Sequence, residues 1–362
     1  MPNRRDFVRT MAGATAGLYA AGRNAFSALA QAPAAPVRRR EVFIGRKRIK
    51  VIDMHGHCAV PDVASVLKGT ALERAAPAAT GSQIIGPDRL RILDEQGIDV
   101  QVLTQQGAWW YNITDRDLAR QVVKIQNEKT ATWVAAAPDR FVALASVSLQ
   151  FPDLAAEQLE DGVKRLGMKG GAIAAGNVAG KELSAPDFDP FWTKAQELGV
   201  VLFMHPGGNT GADEHLRGKG NLGNTIGNPL ETTIFLSHLM FDGTLDRFPG
   251  LKICAAHGGG YLPSYLGRSE AACTRSPDAC SEKKKPADAY FKTQIMADSM
   301  IFRPDGLRHL VEEMGAGQIV YGTDTPFAWP ADVDFILKAT FLNDAQKEAI
   351  LGGNAMKLLH IE

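Results

Sequence analysis

The sequence lacks a surplus of charge of either sign. Lysine and arginine together number 40, as do aspartate and glutamate, in a chain of 362 residues. Nucleic-acid-binding proteins usually carry a basic face, and disordered chains combine strong net charge with few apolar residues. The charge balance therefore predicts no nucleic-acid partner. With 45% hydrophobic residues, the composition favours a globular protein with a large core.

Long apolar runs are also missing. The stretch "MAGATAGLYAAG" near the N-terminus is only weakly apolar. Its length is well short of the roughly 20 residues that a membrane-spanning helix needs. No later segment of the sequence reaches that length either, so the sequence predicts no membrane span.

The first thirty residues resemble a twin-arginine export signal. Arg4 and Arg5 precede the weakly apolar stretch, and Ala28-Leu29-Ala30 fits a small-x-small cleavage site. These features predict a protein exported in folded form to the periplasm, with residues 1–30 as signal and 31–362 as a single catalytic domain. The alternative interpretation of this segment is a disordered, slightly basic tail.

Cysteine is scarce, and no CxxC pair is present, which argues against a structural zinc site. Cys58 and Cys254 lie in apolar strand-like runs and are expected in the core. Cys273 and Cys280 flank the short segment "TRSPDA". In an oxidising compartment this pair could form a disulfide or remain as two thiols.

A glycine-rich phosphate-binding fingerprint is missing after the first predicted strand, which disfavours an open doubly wound sheet. Instead, eight short, almost continuously apolar runs alternate with helical periodicities. The runs are "KVIDMH", "VQVLTQQ", "FVALASVSL", "GGAIAAG", "VVLFMHP", "KICAAHGG", "TQIMADS" and "QIVYGTD". Such strands suit a parallel sheet that is buried on both faces. The sequence therefore predicts the α/β class and a (β/α)8 TIM barrel.

Chemically reactive side chains are concentrated where these strands end. His55 and His57 end the first strand, His205 the fifth, His257 the sixth and Asp324 the eighth. In a barrel of this type the active site lies at the C-terminal ends of the strands. A single strand-end histidine is usually an ordinary polar residue, but imidazoles and a carboxylate converging on one face suit zinc, manganese or iron(II).

The chain resembles the amidohydrolase superfamily, and within it the branch of aminocarboxymuconate-semialdehyde decarboxylase. The resemblance covers most of residues 50–360. Its motifs are "DMHGH", "FMHP", "AHGGGYLPSYLGR", "SPDAC", "IMADSMIF", "YGTDTPF" and "GNAMKLL". It implies that His55, His57, His205 and Asp324 hold one divalent metal ion, usually zinc, with manganese also compatible. Relatives with two metals carry a lysine at the end of strand four, where this sequence has "GGAIAAGN".

The resemblance further implies that His257 is the acid or base beside a metal-bound water, and that Asp324 combines ligation with proton transfer. The leading hypothesis is a metal-dependent, non-oxidative decarboxylase acting on an unsaturated or aromatic carboxylate. The alternative is a hydrolase of an amide or lactone on the same barrel. A third hypothesis, a binding protein without catalysis, is disfavoured because such a protein has no need of His257.

Substrate contacts are expected from three further residues. Arg268 matches an arginine that in the family reaches the active site of a neighbouring subunit, which implies a homodimer. The alternative for Arg268 is an exposed ion pair on a helix. Phe327 matches an aromatic position that lines the family's pocket. Trp110, in the cluster "WWY" after strand two, could line the pocket or belong to the core.

Two departures from the decarboxylase pattern concern the substrate. The family has a second carboxylate-binding arginine in the loop after strand one. Here Arg74 is the arginine between Pro61 and Asp88. The family also has a tryptophan two residues after the strand-five histidine, where this chain has Gly207. Asn177, after strand four, is a further polar candidate.

Overall fold

Eight parallel strands form the centre of the protein in the computed structural model, which describes residues 38–77, 81–105, 107–207 and 214–362. We number them one to eight in chain order. They are Ile52–Cys58, Val100–Gln105, Phe141–Ala143 continued by Ala145–Ser146, Gly170–Ala174, Val201–His205, Lys252–Ala255, Ile295–Asp298 and Ile319–Val320. All eight coincide with the apolar runs predicted from the sequence. The predicted export signal lies outside the described residues and stays a prediction.

The sheet closes on itself. Each strand pairs in parallel with the next along the chain. Beyond strand eight, the chain continues along strand one. The backbone N–H of Met54 donates to the carbonyl of Tyr321 at 2.8 Å, and that of His57 donates to Thr325 at 2.8 Å. The predicted (β/α)8 barrel is therefore confirmed.

Helices separate the strands and cover the outside of the barrel. Several begin with proline in the first turn, where no backbone N–H is needed. The α-helices among the described residues are Ala64–Leu67, Pro87–Gln96, Arg116–Ala136, Pro152–Lys164, Asp189–Leu198, Asn228–Phe241, Thr244–Arg247, Leu262–Arg275, Ala287–Thr293, Pro304–Met314, Val333–Leu337, Asp344–Glu348 and Asn354–Leu359. None of the described helices is long and apolar enough to cross a bilayer.

Two apolar layers hold the barrel together. The inner layer is built from inward-facing strand residues such as Met54 and Phe203, and the last helix adds Ala355 and Leu359. The outer layer lies between strands and helices. The apolar strand residues lie in these two layers, and the polar residues lie beyond them, at the C-terminal ends of the strands, where barrels of this type have their active site.

The remaining local features lie at the start of the barrel and at the cysteines. Phe43–Ile44 and Lys47–Arg48 form a short antiparallel hairpin before strand one. Cys58 and Cys254 are buried free thiols, as expected. Cys273 and Cys280 are joined by a disulfide, so the pairing that the sequence left open is present in the fold.

Candidate metal centre

The first strand carries a bulge that aims its two histidines into the barrel. Met54 faces the interior, so strict alternation would place His55 and His57 on the outside. The pairing with strand two shifts by one residue between Asp53 and Gly56. A one-residue shift exchanges the two faces of a strand. Both imidazoles therefore point inward, as the sequence predicted, although for a reason that the sequence did not reveal.

The four predicted ligands converge on one point. His55, His57, His205 and Asp324 each offer a ligand atom, and these atoms all lie within 4.8 Å of one another. The Nε2 atoms of His55 and His57 are 3.1 Å apart. Asp324 Oδ1 lies 3.2 Å from the first and 3.0 Å from the second. Such a spacing is what a single ion with nitrogen and oxygen ligands near 2 Å requires.

The outer nitrogens of the imidazoles are engaged, which leaves their Nε2 atoms for a metal. His55 Nδ1 lies 2.7 Å from Asp298 Oδ2. His205 Nδ1 lies 2.9 Å from the carbonyl oxygen of the next residue, and His57 Nδ1 is 3.3 Å from the Thr104 hydroxyl. A partner on the outer nitrogen fixes the ring orientation and the tautomer of a ligand histidine.

The electrostatics suit a cation. Burial lowers the pKa of His57 and holds the pKa of His205 well below its usual value, so both rings are neutral. Burial also lowers the pKa of His55, but the carboxylates of Asp324 and Asp298 raise it to about 10. Burial raises the pKa of Asp324, whereas the neighbouring histidines, His55 first, hold it well below its ordinary range. The Asp324 carboxylate thus stays ionised beside the neutral rings of His57 and His205, while His55 holds a proton that it must release to bind a metal ion.

One buried atom tests whether these residues fit a metal ion. Asp324 Oδ1 is buried and accepts no hydrogen bond from any described residue. A buried carboxylate oxygen without a donor is costly unless a cation satisfies it. The lone pairs of three imidazoles point at the same place. The donor set therefore fits one divalent ion.

His257 stands next to this shell. Its Nε2 lies 3.9 Å from Asp324 Oδ2, and its ring centroid lies 5.1 Å from that of His205. His257 adopts a left-handed backbone with φ 55°, a conformation that non-glycine residues rarely take and that is often found at functional sites. Its position is that predicted for the acid or base.

Two of the three predicted substrate contacts lie beside the shell. The Phe327 ring centroid is 5.7 Å from that of His57, and the side chain is 42% exposed. Trp110 is buried and donates to the carbonyl of Val147 at 2.8 Å. It also lines a small cavity of about 20 Å³ together with His205. Trp110 therefore belongs both to the core and to the wall of the site.

No hydrogen bond or ion pair among the described residues links Arg268 to the shell. Arg268 lies exposed on the helix Leu262–Arg275, and it makes no hydrogen bond or ion pair with the described residues. Arg74 and Asn177 are exposed as well. The backbone N–H of Gly207 donates to Glu231 Oε1 at 3.1 Å.

Sequence reasoning missed Asp298. Its carboxylate ends strand seven, so a strand-end criterion applied to every carboxylate would have found it. It is fully buried. Oδ2 contacts His55, while Oδ1 accepts the backbone N–H of Gly258 at 2.9 Å and that of Met300 at 3.1 Å. Asp298 therefore ties a ligand histidine to the loops after strands six and seven.

A closed barrel with a cluster of three histidines and one aspartate at its strand ends, three of the four buried, defines the class of metal-dependent (β/α)8 enzymes. The sequence profile described as Amidohydrolase matches residues 52–361. The chain belongs to this amidohydrolase family, which confirms the resemblance seen in the motifs.

Individual relatives agree with this membership. The chain is 31% identical over 283 residues to 2-amino-3-carboxymuconate-6-semialdehyde decarboxylase of Dictyostelium discoideum, covering 76% of this chain and 77% of that protein. It is 30% identical over 284 residues to gamma-resorcylate decarboxylase of a Polaromonas species, covering 75% and 86%. A crystal structure of a Polaromonas dihydroxybenzoic acid decarboxylase, with bound manganese and 2-nitroresorcinol, matches with a TM-score of 0.73 at 27% identity, covering 86% and 97%.

Proposed function

We propose that this protein is a metal-dependent, non-oxidative decarboxylase of an unsaturated or aromatic carboxylate. The observation that carries the proposal is the shell of His55, His57, His205 and Asp324 with His257 beside it. This shell lies in a chain whose curated relatives at 30% and 31% identity are decarboxylases of a resorcylate and of an aminocarboxymuconate semialdehyde. The substrate is therefore a small carboxylate with a conjugated system.

The residues of the site divide the work of this reaction. Non-oxidative decarboxylation replaces a carboxylate by hydrogen, so one proton reaches the substrate carbon for each carbon dioxide released. Asp324 Oδ2 and His257 Nε2, 3.9 Å apart, are the proton-handling atoms nearest the shell. Asp324 belongs to the shell, so we assign the proton transfer to His257, which stands outside the shell with Asp324 as its neighbour. Phe327 supplies an apolar surface for a planar substrate.

We infer that the site binds one divalent ion. When bound, the ion supplies Lewis acidity toward the oxygen atoms of the substrate. Imidazole and carboxylate ligands suit both zinc and manganese, and manganese is bound in the Polaromonas structure. Elemental analysis of protein purified without added metal will identify the ion, and a content well below one ion per chain would contradict the proposal.

The direct test is release of carbon dioxide. Purified enzyme should release it from gamma-resorcylate or from an aminocarboxymuconate semialdehyde, and chelation should abolish the release. The alternative, a hydrolase of amides or lactones on the same barrel, predicts lactone opening without carbon dioxide. An enzyme that opens lactones and releases no carbon dioxide from any conjugated carboxylate would replace the leading proposal.

We further infer a homodimer in which Arg268 enters the partner's active site. Its exposed position without a partner among the described residues supports this idea, because a bidentate guanidinium suits a substrate carboxylate. Inactive Arg268→Ala and inactive His257→Ala chains should regain activity when mixed, because one site of the mixed dimer is intact. Arg275→Ala, an exposed arginine on the same helix, is the matched control. Full activity of Arg268→Ala alone would contradict this role.

Export by the twin-arginine route is a separate proposal that rests on Arg4 and Arg5. Replacing both by lysine should keep the precursor in the cytoplasm, where fractionation detects it. Periplasmic protein in spite of both substitutions would contradict it.

A further inference from the structure

A buried carboxylate outside the metal shell gathers four hydrogen bonds. Asp53 is fully buried. Its Oδ1 accepts the backbone N–H groups of His55 and Thr323, each at 3.0 Å. Its Oδ2 accepts the Thr323 hydroxyl and the Gln101 side-chain amide, each at 2.6 Å. Asp53 therefore bonds to strand one, strand two and the segment beyond strand eight at once.

The Asp53 carboxylate lies where strand one meets the segment beyond strand eight, next to two of the metal ligands. The Thr323 hydroxyl, bonded to Asp53, also lies 2.6 Å from the Thr325 hydroxyl. Between these two threonines stands Asp324, whose backbone N–H donates to the carbonyl of His55 at 2.8 Å. A direct backbone hydrogen bond and the Asp53 carboxylate thus both fix the ligands from the two ends of the barrel sheet relative to each other.

Gln101 extends these contacts to a buried arginine. Arg89 is fully buried, and its Nη1 donates to Gln101 Oε1 at 2.6 Å. Its Nη2 donates to the carbonyl of His57, and its Nε donates to the carbonyl of Ser82 at 2.9 Å. Ser82 belongs to the loop after strand one. One guanidinium thus connects that loop to the backbone of a ligand histidine.

We infer that Asp53, acting through Thr323, Gln101 and Arg89, is a positioning residue for the metal shell. Asp298 acts on a ligand imidazole directly, whereas Asp53 acts on the backbones that carry His55 and Asp324. Supporting residues around a metal site set its affinity, because they fix the ligand geometry before the ion arrives. The inference rests on the metal site of the proposed function and is independent of which reaction the site performs.

Asparagine at position 53 cannot replace the carboxylate in either orientation. With its amide nitrogen in the place of Oδ1, it meets two backbone N–H donors. With the asparagine nitrogen in the place of Oδ2, that nitrogen meets the Thr323 hydroxyl and the NH2 group of Gln101. Rotating the Gln101 amide does not help, because the Gln101 NH2 group would then face Arg89 Nη1, which is also a donor. Each case leaves donors facing donors. Asp53→Asn should therefore loosen the spacing between the ligands.

The test is Mn²⁺ binding by the whole protein, followed through the electron paramagnetic resonance signal of the free ion. Asp53→Asn should bind Mn²⁺ about 10- to 100-fold more weakly than the wild type. Thr323→Val, which removes one hydroxyl, should weaken binding in the same direction. Thr323→Ser keeps the hydroxyl and should restore the wild-type affinity. If Asp53→Asn does not fold, the comparison of Thr323→Val with Thr323→Ser provides the test.

A control separates positioning from general loss of stability. Asn354 is also buried and donates to the carbonyls of Ala316 and Ile319 at 2.8 and 2.7 Å, at the start of strand eight. Asn354→Ala should lower the melting temperature and leave Mn²⁺ affinity unchanged. Wild-type Mn²⁺ affinity in Thr323→Val, or an equal loss in Asn354→Ala, would overturn the inference. Absence of decarboxylation would not affect this measurement, so the two proposals fail separately.

Discussion

Asparagine at position 298 should weaken metal binding by changing the tautomer of His55. Asp298 Oδ1 accepts the backbone N–H groups of Gly258 and Met300. The carbonyl oxygen of an asparagine must take the position of Oδ1, so the asparagine NH2 group takes the position of Oδ2. In the wild type, Oδ2 lies 2.7 Å from His55 Nδ1, so the NH2 group of the variant faces that nitrogen. His55 can accept this hydrogen bond only with its proton on Nε2, where the metal needs a lone pair.

The size of the effect follows from the interaction that is lost. A hydrogen bond with a charged partner contributes about 1.5–3 kcal/mol, and each 1.4 kcal/mol corresponds to about a tenfold change in affinity. A loss of about 10- to 100-fold in metal affinity is therefore expected, which is the range seen for residues that support metal ligands in other proteins. The fold should persist, because the carbonyl oxygen keeps both backbone hydrogen bonds.

Mn²⁺ titration of Asp298→Asn measures this loss, with the melting temperature as a check on folding. A matched control is present on the surface: Asp242 Oδ2 lies 2.8 Å from His238 Nδ1 in an exposed pair. Asp242→Asn removes a similar contact and should leave metal affinity unchanged. If Asp298→Asn bound Mn²⁺ as tightly as the wild type, the carboxylate would not determine the tautomer of His55, and the reasoning would be refuted.

Three further predictions concern other parts of the protein. His257→Gln should slow carbon dioxide release by at least about 100-fold with unchanged Mn²⁺ affinity; an unchanged rate would exclude a proton-transfer role. Removing the disulfide that joins two cysteines seven residues apart, by Cys273→Ser, should lower the free energy of unfolding by about 2–3 kcal/mol. Urea unfolding measures this loss, and an unchanged midpoint would contradict it. Burial raises the pKa of Asp99, but hydrogen bonds from Arg48 and Val51 and the charge of Arg39 lower it overall. The ionised Asp99 carboxylate therefore stabilises the fold at neutral pH, and this contribution is lost as the pH falls below about 4. Asp99→Asn should make the urea midpoint less dependent on pH in the acid range.

The fold could be predicted from the sequence because barrel strands that are buried on both faces leave a strong local signal. Eight apolar runs separated by helical periodicity suffice to indicate a (β/α)8 barrel. The short Ile319–Val320 strand was also found, because its flanking apolar residues extend the run. The disulfide between Cys273 and Cys280 could only be left open, since spacing alone does not fix how two cysteines approach each other.

The metal ligands could be predicted for a different reason. Each one ends a strand, and the strand ends of a barrel meet at one face. Asp298 ends a strand too and could have been found by the same criterion, whereas Asp53, Gln101 and Arg89 carry no such positional signal. Asp53 lies inside a strand, Gln101 inside the next, and Arg89 on a helix, where each looks like an ordinary polar residue. Only the closed barrel brings them together.

The segment from Asp53 to His57 therefore has more functions than the two histidines suggest. Asp53 fixes the strand to its neighbours, and the bulge that follows turns His55 and His57 toward the metal. A Cβ atom at Gly56 would point to the outer face of the strand and would lie 2.5 Å from the side chain of Gln101. Any larger residue would displace the amide that links Asp53 to the buried arginine. The glycine is thus required by the supporting contacts rather than by the metal, so ligand geometry and backbone packing are set by the same five residues.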